Sequence, residues 1–251
     1  MTGAERPAGL RVLLTRPEGD GLGQWERALR QRGEEPLLYP TIEIVPPASW
    51  EALDCALNGL QEYHWLIFTS ATAVHFVVSR LPGSRLPAAA PPQIAAIGGR
   101  TAAAVVKRGG LCALVANDTR QEGLFQMLRS IPTPSRFLLP QAAGGRSFLA
   151  QSLRELGQTV DVVTAYETIE RRPLPALPVF DLAVFASPSA LRAFVAAHGT
   201  QSIRGGRIIV IGTTTLAQAV EFELDATCSK EASVDGIFEA IARWRLLQGV
   251  E

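Results

Sequence analysis

Short apolar runs recur along the chain, each stopping at small or hydroxyl-bearing residues before a helical pattern begins. LIFTSATAV (66–74) shows the form: the run ends at Thr69-Ser70 and an alanine-rich stretch follows. This predicts a strand, a tight turn and a helix whose N-cap is Ser70. LAVFASPSAL (182–191) repeats it, with Phe185, Ser187 and Ala190 answering Phe68, Ser70 and Ala73. Pro188 stands at the first helical position, where a missing N–H costs nothing. Each such turn offers free backbone N–H groups at the positive end of a helix dipole.

The same units fill the rest of the chain. RVLLT (11–15) reads as a buried strand, RPEGDGLG as a turn, and QWERALRQR as a helix stopped by Gly33. PLLYPTIEIVPP (36–47) is broken by prolines, which predicts an extended connector with a short strand kept away from a sheet centre. Ser49 is placed as cap of a helix running to Asn58, and HWLIFT is the next strand. After a helix ending near Arg80, the Ala/Pro-rich stretch 81–93 predicts a surface loop. IAAIG (94–98), the helix RTAAAVVKR, the short strand LCALVA and the helix RQEGLFQML (120–128) complete this half.

From Arg136 the pattern restarts. RFLLPQAAGGRSFLAQSLRELG (136–157) parallels 11–33, YETIE (166–170) parallels YPTIE (39–43), and IIVIGTTTLAQAV (208–220) parallels IAAIGGRTAAAVV (94–106). VDGIFEAI (234–241) likewise parallels QEGLFQML (121–128), so the order is A–B–A′–B′. Alternating β and α with apolar strands predicts two parallel sheets, each covered on both faces. Periodicity leaves two pairings open: A with B′ and B with A′, which makes the first lobe discontinuous, or A with B.

Composition narrows the function classes. With 251 residues, 47% hydrophobic and 19% charged, the chain holds a substantial core. A formal net charge of zero argues against a general nucleic-acid or membrane-surface binder. No run approaches the roughly 18 apolar residues of a membrane span, and the start lacks an apolar signal region, so a cytoplasmic location is the expectation. Cys55, Cys112 and Cys228 fall outside any CxxC spacing, and His64, His75 and His198 form no ligand pair. No metal site is expected.

Ligands of parallel α/β sheets bind at the carboxyl ends of the strands. Those ends are Thr15-Arg16, Thr69-Ser70, Gly98 to Thr101, Pro140 to Arg146, Ser187 and Gly212 to Thr215, nearly all Gly, Ser or Thr. Any one of them reads equally as an ordinary cap; together they suit carboxylates or phosphates. Paired carboxylates, a G-x-S-x-G elbow, a Walker loop and a Cys/His couple are all missing. The glycines at 19, 21 and 23 give GxGxG rather than GxGxxG, which disfavours a nucleotide-using enzyme. Such a chain suits a reaction in which holding a reactive substrate in one conformation supplies most of the catalysis.

In their order and spacing, LLTRPE (13–18), YPTIEI (39–44), FTSATAV (68–74), IAAIGGRTAAAV (94–105), RFLLPQ with Arg146, AYET (165–168), FASPSAL (185–191) and IGTTTLAQAV (211–220) resemble the uroporphyrinogen-III synthase family, almost end to end. The resemblance implies two similar parallel-sheet α/β lobes joined by a two-stranded β linker. The first lobe would be discontinuous (1–38 and 169–251), the second would span 46–161, and the linker would be 39–45 with 162–168. It implies a lyase of porphyrin, tetrapyrrole and heme biosynthesis that needs no cofactor. The substrate would be hydroxymethylbilane, a carboxylate-rich linear tetrapyrrole. Loss of the ring-A hydroxyl as water leaves an azafulvene, ring D attacks through its substituted carbon, and a spiro intermediate fragments and recloses with ring D inverted. Unassisted closure gives the non-inverted type I isomer.

By position the resemblance makes Tyr166 the proton donor, with Tyr39 as the rival at the equivalent repeat position. A phenol of pKa about 10 stays protonated near neutral pH and donates without adding charge. Thr69, Ser70, Thr101, Ser187, Thr214 and Thr215 resemble the ligand-contacting hydroxyls, and Arg16 and Arg146 are candidates for carboxylate pairing. The expected protein is a cytoplasmic monomer with a small-molecule partner and neither nucleic acid nor membrane. The alternative is a non-catalytic two-lobed cytosolic receptor for a small polyanion.

Overall fold

The strand–helix units sort into two parallel-dominated sheets in a computed structural model, which describes residues 9–17, 22–87, 91–118, 120–205, 207–229, 231 and 233–248. The chain opens with β1 (Arg11–Leu14), α1 (Leu22–Gln31), β2 (Glu35–Leu38) and β3 (Ile42–Val45). It continues through α2 (Glu51–Asn58), β4 (Trp65–Phe68), α3 (Ala71–Arg80), β5 (Gln93–Ile97), α4 (Gly98–Lys107), β6 (Cys112–Ala116) and α5 (Gln121–Leu128). Next come β7 (Arg136–Ala142), α6 (Phe148–Glu155) and the long strand β8 (Thr159–Glu170). The last stretch holds β9 (Leu182–Phe185), α7 (Pro188–His198), β10 (Ile208–Ile211), α8 (Thr213–Glu221), β11 (Thr227–Ser229) and α9 (Val234–Gln248).

Two compact units result: residues 1–44 with 169–251, and residues 45–168. In the first, the strand order is β11-β10-β9-β1-β2. In the second sheet it is β3-β8-β7-β4-β5-β6. The division between units falls inside β3 and inside β8. Of the two pairings left open by periodicity, the chain adopts A with B′ and B with A′: β1 lies parallel to β9, and β4 lies parallel to β7.

Burial follows the two-residue period of a pleated strand, which sends successive side chains to opposite faces. In unit 1, Leu13 joins a cluster with Phe185, Phe194 and Val210, while Val12 and Leu14 join Trp25, Leu182 and Ile241 on the other face. In unit 2, Leu66 and Phe68 pack with Val74 and Val77, and Trp65 and Ile67 pack with Leu124, Phe137 and Leu153. With both faces covered, a fully buried Leu or Phe contributes roughly 1.5–3 kcal/mol.

The proline-broken stretch 36–47 differs from the expected single short strand. It supplies two strands, β2 and β3, each at the end of a sheet. An edge tolerates Pro36 inside β2 because only one side of that strand needs a full set of donors. The cap of α2 also moves by one residue, to Trp50, while Ser49 Oγ accepts the Glu51 N–H at 3.2 Å. Most of the glycine-rich turn (18–21) and the alanines 88–90 lie outside the described residues.

Candidate functional site

β1, β2, β9, β10 and β11 run parallel in unit 1, as do β4, β5, β6, β7 and β8 in unit 2, so these strands end along one edge of each sheet. In unit 2 that edge carries Thr69-Ser70 after β4, Gly98 after β5, the end of β7, and Tyr166 on β8. Ser70 has extended backbone (φ −154°, ψ 150°), and its Oγ accepts the Ala73 N–H at 3.0 Å, the N-cap that its sequence position predicts. The same Oγ lies 3.2 Å from the Tyr166 hydroxyl.

A bulge aims Tyr166. Pairing along β7 and β8 runs regularly to Gln141 opposite Thr164, then shifts so that Ala142 faces Tyr166. The skipped residue, Ala165, is fully buried, and Tyr166 is left half-buried. One extra residue in a strand turns the following side chain to a new direction, a common device beside functional sites. The Ala143 N–H donates to the Tyr166 carbonyl at 2.9 Å and fixes the kink.

Neighbouring turns differ in how they end. Gly98 (φ 71°) opens α4 with no side-chain cap. First-turn N–H groups without a side-chain acceptor attract carboxylates. Thr101, on the first turn of α4, is buried at 5% exposure and faces the core. Arg146 sits past β7, where its guanidinium grips Glu122 at 2.6 and 3.4 Å. The hydrogen bond from Arg146 holds the Glu122 carboxyl below its ordinary range. Gln121 secures the same loop, donating to the Arg146 carbonyl at 3.3 Å and accepting from the Leu149 N–H at 3.1 Å.

Unit 1 repeats the scheme. Ser187 (φ −156°, ψ 154°) caps α7 by accepting from Ala190 N–H at 3.2 Å, with Pro188 as the first helical residue. Gly212 (φ 76°, ψ 160°) opens α8 without a side-chain cap. Thr214 is exposed on that first turn. Thr215 is buried, and its Oγ1 has no hydrogen-bond partner among the described residues. Thr15 Oγ1 donates to the Val184 carbonyl at 2.8 Å, tying β1 to β9. Arg16 is 5% exposed, with its guanidinium 4.2 Å above the Trp25 ring.

The two repeat tyrosines part company. Tyr39 is 2% exposed, and its hydroxyl donates to the Pro175 carbonyl at 2.6 Å while His198 Nε2 lies 2.7 Å away. A phenol has one hydrogen, so His198 Nε2 is the donor of the second bond. Burial pushes the Tyr39 phenol above its ordinary pKa. Its hydroxyl is thus committed to holding α7 and the segment around Pro175.

Several residues at these edges carry no signal in the sequence. Gln121 and Glu122 lie in QEGLFQML, where they pass for an ordinary polar helix start. Gln141 Oε1 is buried at the end of β7 without a partner among the described residues. Gly145 lies close against it: a Cβ there would sit 2.8 Å from the Gln141 Cδ. Phe76 stacks on Tyr166, and nothing in FTSATAV signals that contact. Among the described residues, no group of three or more His, Cys, Asp or Glu is arranged to hold a metal ion, and no helix is long and apolar enough to cross a membrane.

The family model of uroporphyrinogen-III synthase HemD matches residues 23–239. The uroporphyrinogen-III synthase of Synechococcus elongatus is 30% identical, over 96% of this chain and 98% of its own length. A mutant uroporphyrinogen III synthase of the extremely thermophilic bacterium Thermus thermophilus superposes with a TM-score of 0.65 at 15% identity, covering 95% of this chain and 100% of that one. The uroporphyrinogen-III synthetase of Helicobacter pylori gives 0.59 at 17% identity, covering 94% and 100%. A model match across most of the sequence, joined to the shared two-unit α/β fold, shows that the chain belongs to the uroporphyrinogen-III synthase family.

Proposed function

We propose that the protein closes hydroxymethylbilane to uroporphyrinogen III, with Tyr166 delivering the proton that lets the ring-A hydroxyl leave as water. The activity is that of a lyase in porphyrin and heme biosynthesis. One observation carries the assignment of the donor: Tyr166 is half-buried at the carboxyl edge of its sheet, with its hydroxyl 3.2 Å from the N-cap oxygen of α3. A neutral phenol gives up a proton there, and the phenolate left behind faces the positive end of a helix and the Ser70 hydroxyl. The proton returns when the reclosed ring loses one to restore its pyrrole.

The substrate's carboxylates are received by the hydroxyls of Thr69 and Ser70 in unit 2 and of Ser187 and Thr214 in unit 1, and by the turns that hold Thr101 and Thr215. Buried Thr101 and Thr215 shape their turns from beneath, and the uncapped first-turn amides of α4 and α8 make the contact. Arg16 adds charge beneath its turn in unit 1. Arg146 pairs with a substrate carboxylate by exchanging it for Glu122, a swap of like for like that costs little at an exposed site. The chain passes between the units within β3 and within β8, and these two strands serve as the link in place of 39–45 and 162–168. The protein works as a monomer in the cytoplasm, a reducing compartment that suits its three unpaired cysteines.

Incubation with freshly prepared hydroxymethylbilane, followed by separation of the isomers, tests the reading. Enriched type III product supports it. Type I product alone, at the rate of the uncatalysed closure, overturns it and leaves a polyanion receptor.

A further inference from the structure

We infer that Phe76 is a positioning residue for Tyr166, setting the plane of the phenol while Ser70 holds its hydroxyl. This rests on the proposed role of Tyr166 as proton donor. The Ser70–Tyr166 contact of 3.2 Å is long for a bond between hydroxyls, which favour about 2.7–2.8 Å, so it steers the ring weakly. The ring itself is better held. Phe76 and Tyr166 lie with centroids 5.7 Å apart and planes 11° from parallel, the offset stack that aromatic pairs favour.

Both handles belong to one helix. Ser70 is the N-cap of α3 and Phe76 lies in its second turn, so any movement of α3 carries the hydroxyl partner and the ring partner together. Phe76 is in turn braced: Trp50, at the start of α2, lies 6.1 Å away. The Arg80 guanidinium sits 4.9 Å from the Trp50 ring and grips Asp54 at 2.8 and 2.6 Å. A column therefore runs from an ion pair between α2 and α3, through Trp50 and Phe76, to the phenol. Trp50, Phe76 and Tyr166 are all only partly buried and lie against the unit 2 core, so their stacking is additional to filling that core. A proton donor misplaced by about 1 Å forfeits on the order of a hundredfold in rate, which makes the plane of the ring consequential.

Kinetics of type III formation in Phe76→Leu, with and without Tyr166→Phe, test the inference, with near-ultraviolet circular dichroism to confirm the fold. Alone, Phe76→Leu is expected to lower kcat about tenfold with little change in KM, because it loosens a group that acts in the transition state. Phe76→Tyr, which keeps the ring, restores the rate. In the Tyr166→Phe background the same Leu substitution is expected to cost nothing further. Should Phe76→Leu unfold the protein, Trp50→Leu replaces it, with a few-fold loss that again vanishes without the Tyr166 hydroxyl. An equal loss in both backgrounds, or none in the wild type, overturns the positioning role and leaves the proton donor standing. Full activity in Tyr166→Phe overturns the donor itself, and the inference with it.

Discussion

The two units carry the same turns and opposite tyrosines. Ser70 and Ser187 cap their helices with near-identical backbone angles and the same i to i+3 bond. Gly98 and Gly212 open the next helices at φ 71° and 76°, neither with a side-chain cap. Yet Tyr39 is locked between Pro175 and His198, with Phe194 edge-on to its ring, and Tyr166 stands half-buried beside a cap oxygen. The turns match across the repeat because amides at a strand end depend on backbone alone. The phenols diverged because each depends on what its own strand does: Tyr39 follows the edge strand β2, whereas Tyr166 follows a bulge in β8.

The strongest way to break this contrast is to remove each hydroxyl. Tyr166→Phe is expected to lower type III formation by roughly 10²–10⁴-fold, the usual worth of a general acid, with unchanged denaturant melts. Tyr39→Phe is expected to do the reverse. Activity holds, while stability falls by about 1–3 kcal/mol as the Pro175 carbonyl and His198 Nε2 lose their shared partner. If both variants lost activity alike, the division of labour would be wrong.

Gly212→Ala probes the backbone of the uncapped turn. A Cβ there meets nothing within 4 Å, so the cost comes from φ 76° and ψ 160° alone, about 1–3 kcal/mol by chemical denaturation. A neutral result would mean the turn relaxes freely. The caps come next in size. Ser70→Ala and Ser187→Ala should each cost about 1 kcal/mol of stability, and the first, which also touches the Tyr166 hydroxyl, should slow type III formation more. Equal kinetic effects would show that the two serines do the same work.

The last test concerns a third, structural tyrosine. Tyr63 donates to Asp161 at 2.8 Å, and burial, followed by that bond, raises its phenol from 10.0 to about 12. Its contribution to stability is complete below pH 10, where the phenol is neutral in both states. It is lost as pH rises toward about 12 and the unfolded chain ionises first. Thermal melts across that window should fall less steeply in Tyr63→Phe. An unchanged slope would sink the assignment.

The letters of the chain by themselves determined the local features. Apolar runs mark β1, β4, β5, β9 and β10, and Ser70 and Ser187 cap the helices their spacing indicates, because a strand's burial and a cap's bond are settled within a few residues. The repeat and its order were equally legible. Tertiary structure decided what depends on distant partners. It chose β9 over β4 as the neighbour of β1, split 36–47 between two sheets, turned Thr101 and Thr215 inward, and gave Arg146 to Glu122. YPTIE and YETIE look alike as words, yet only the bulge opposite Ala142 and the His198 ring distinguish a half-buried phenol beside a cap oxygen from one committed to packing. Both contacts reach outside their own segments, His198 lying 159 positions from Tyr39, so no reading of either segment alone could tell the two apart.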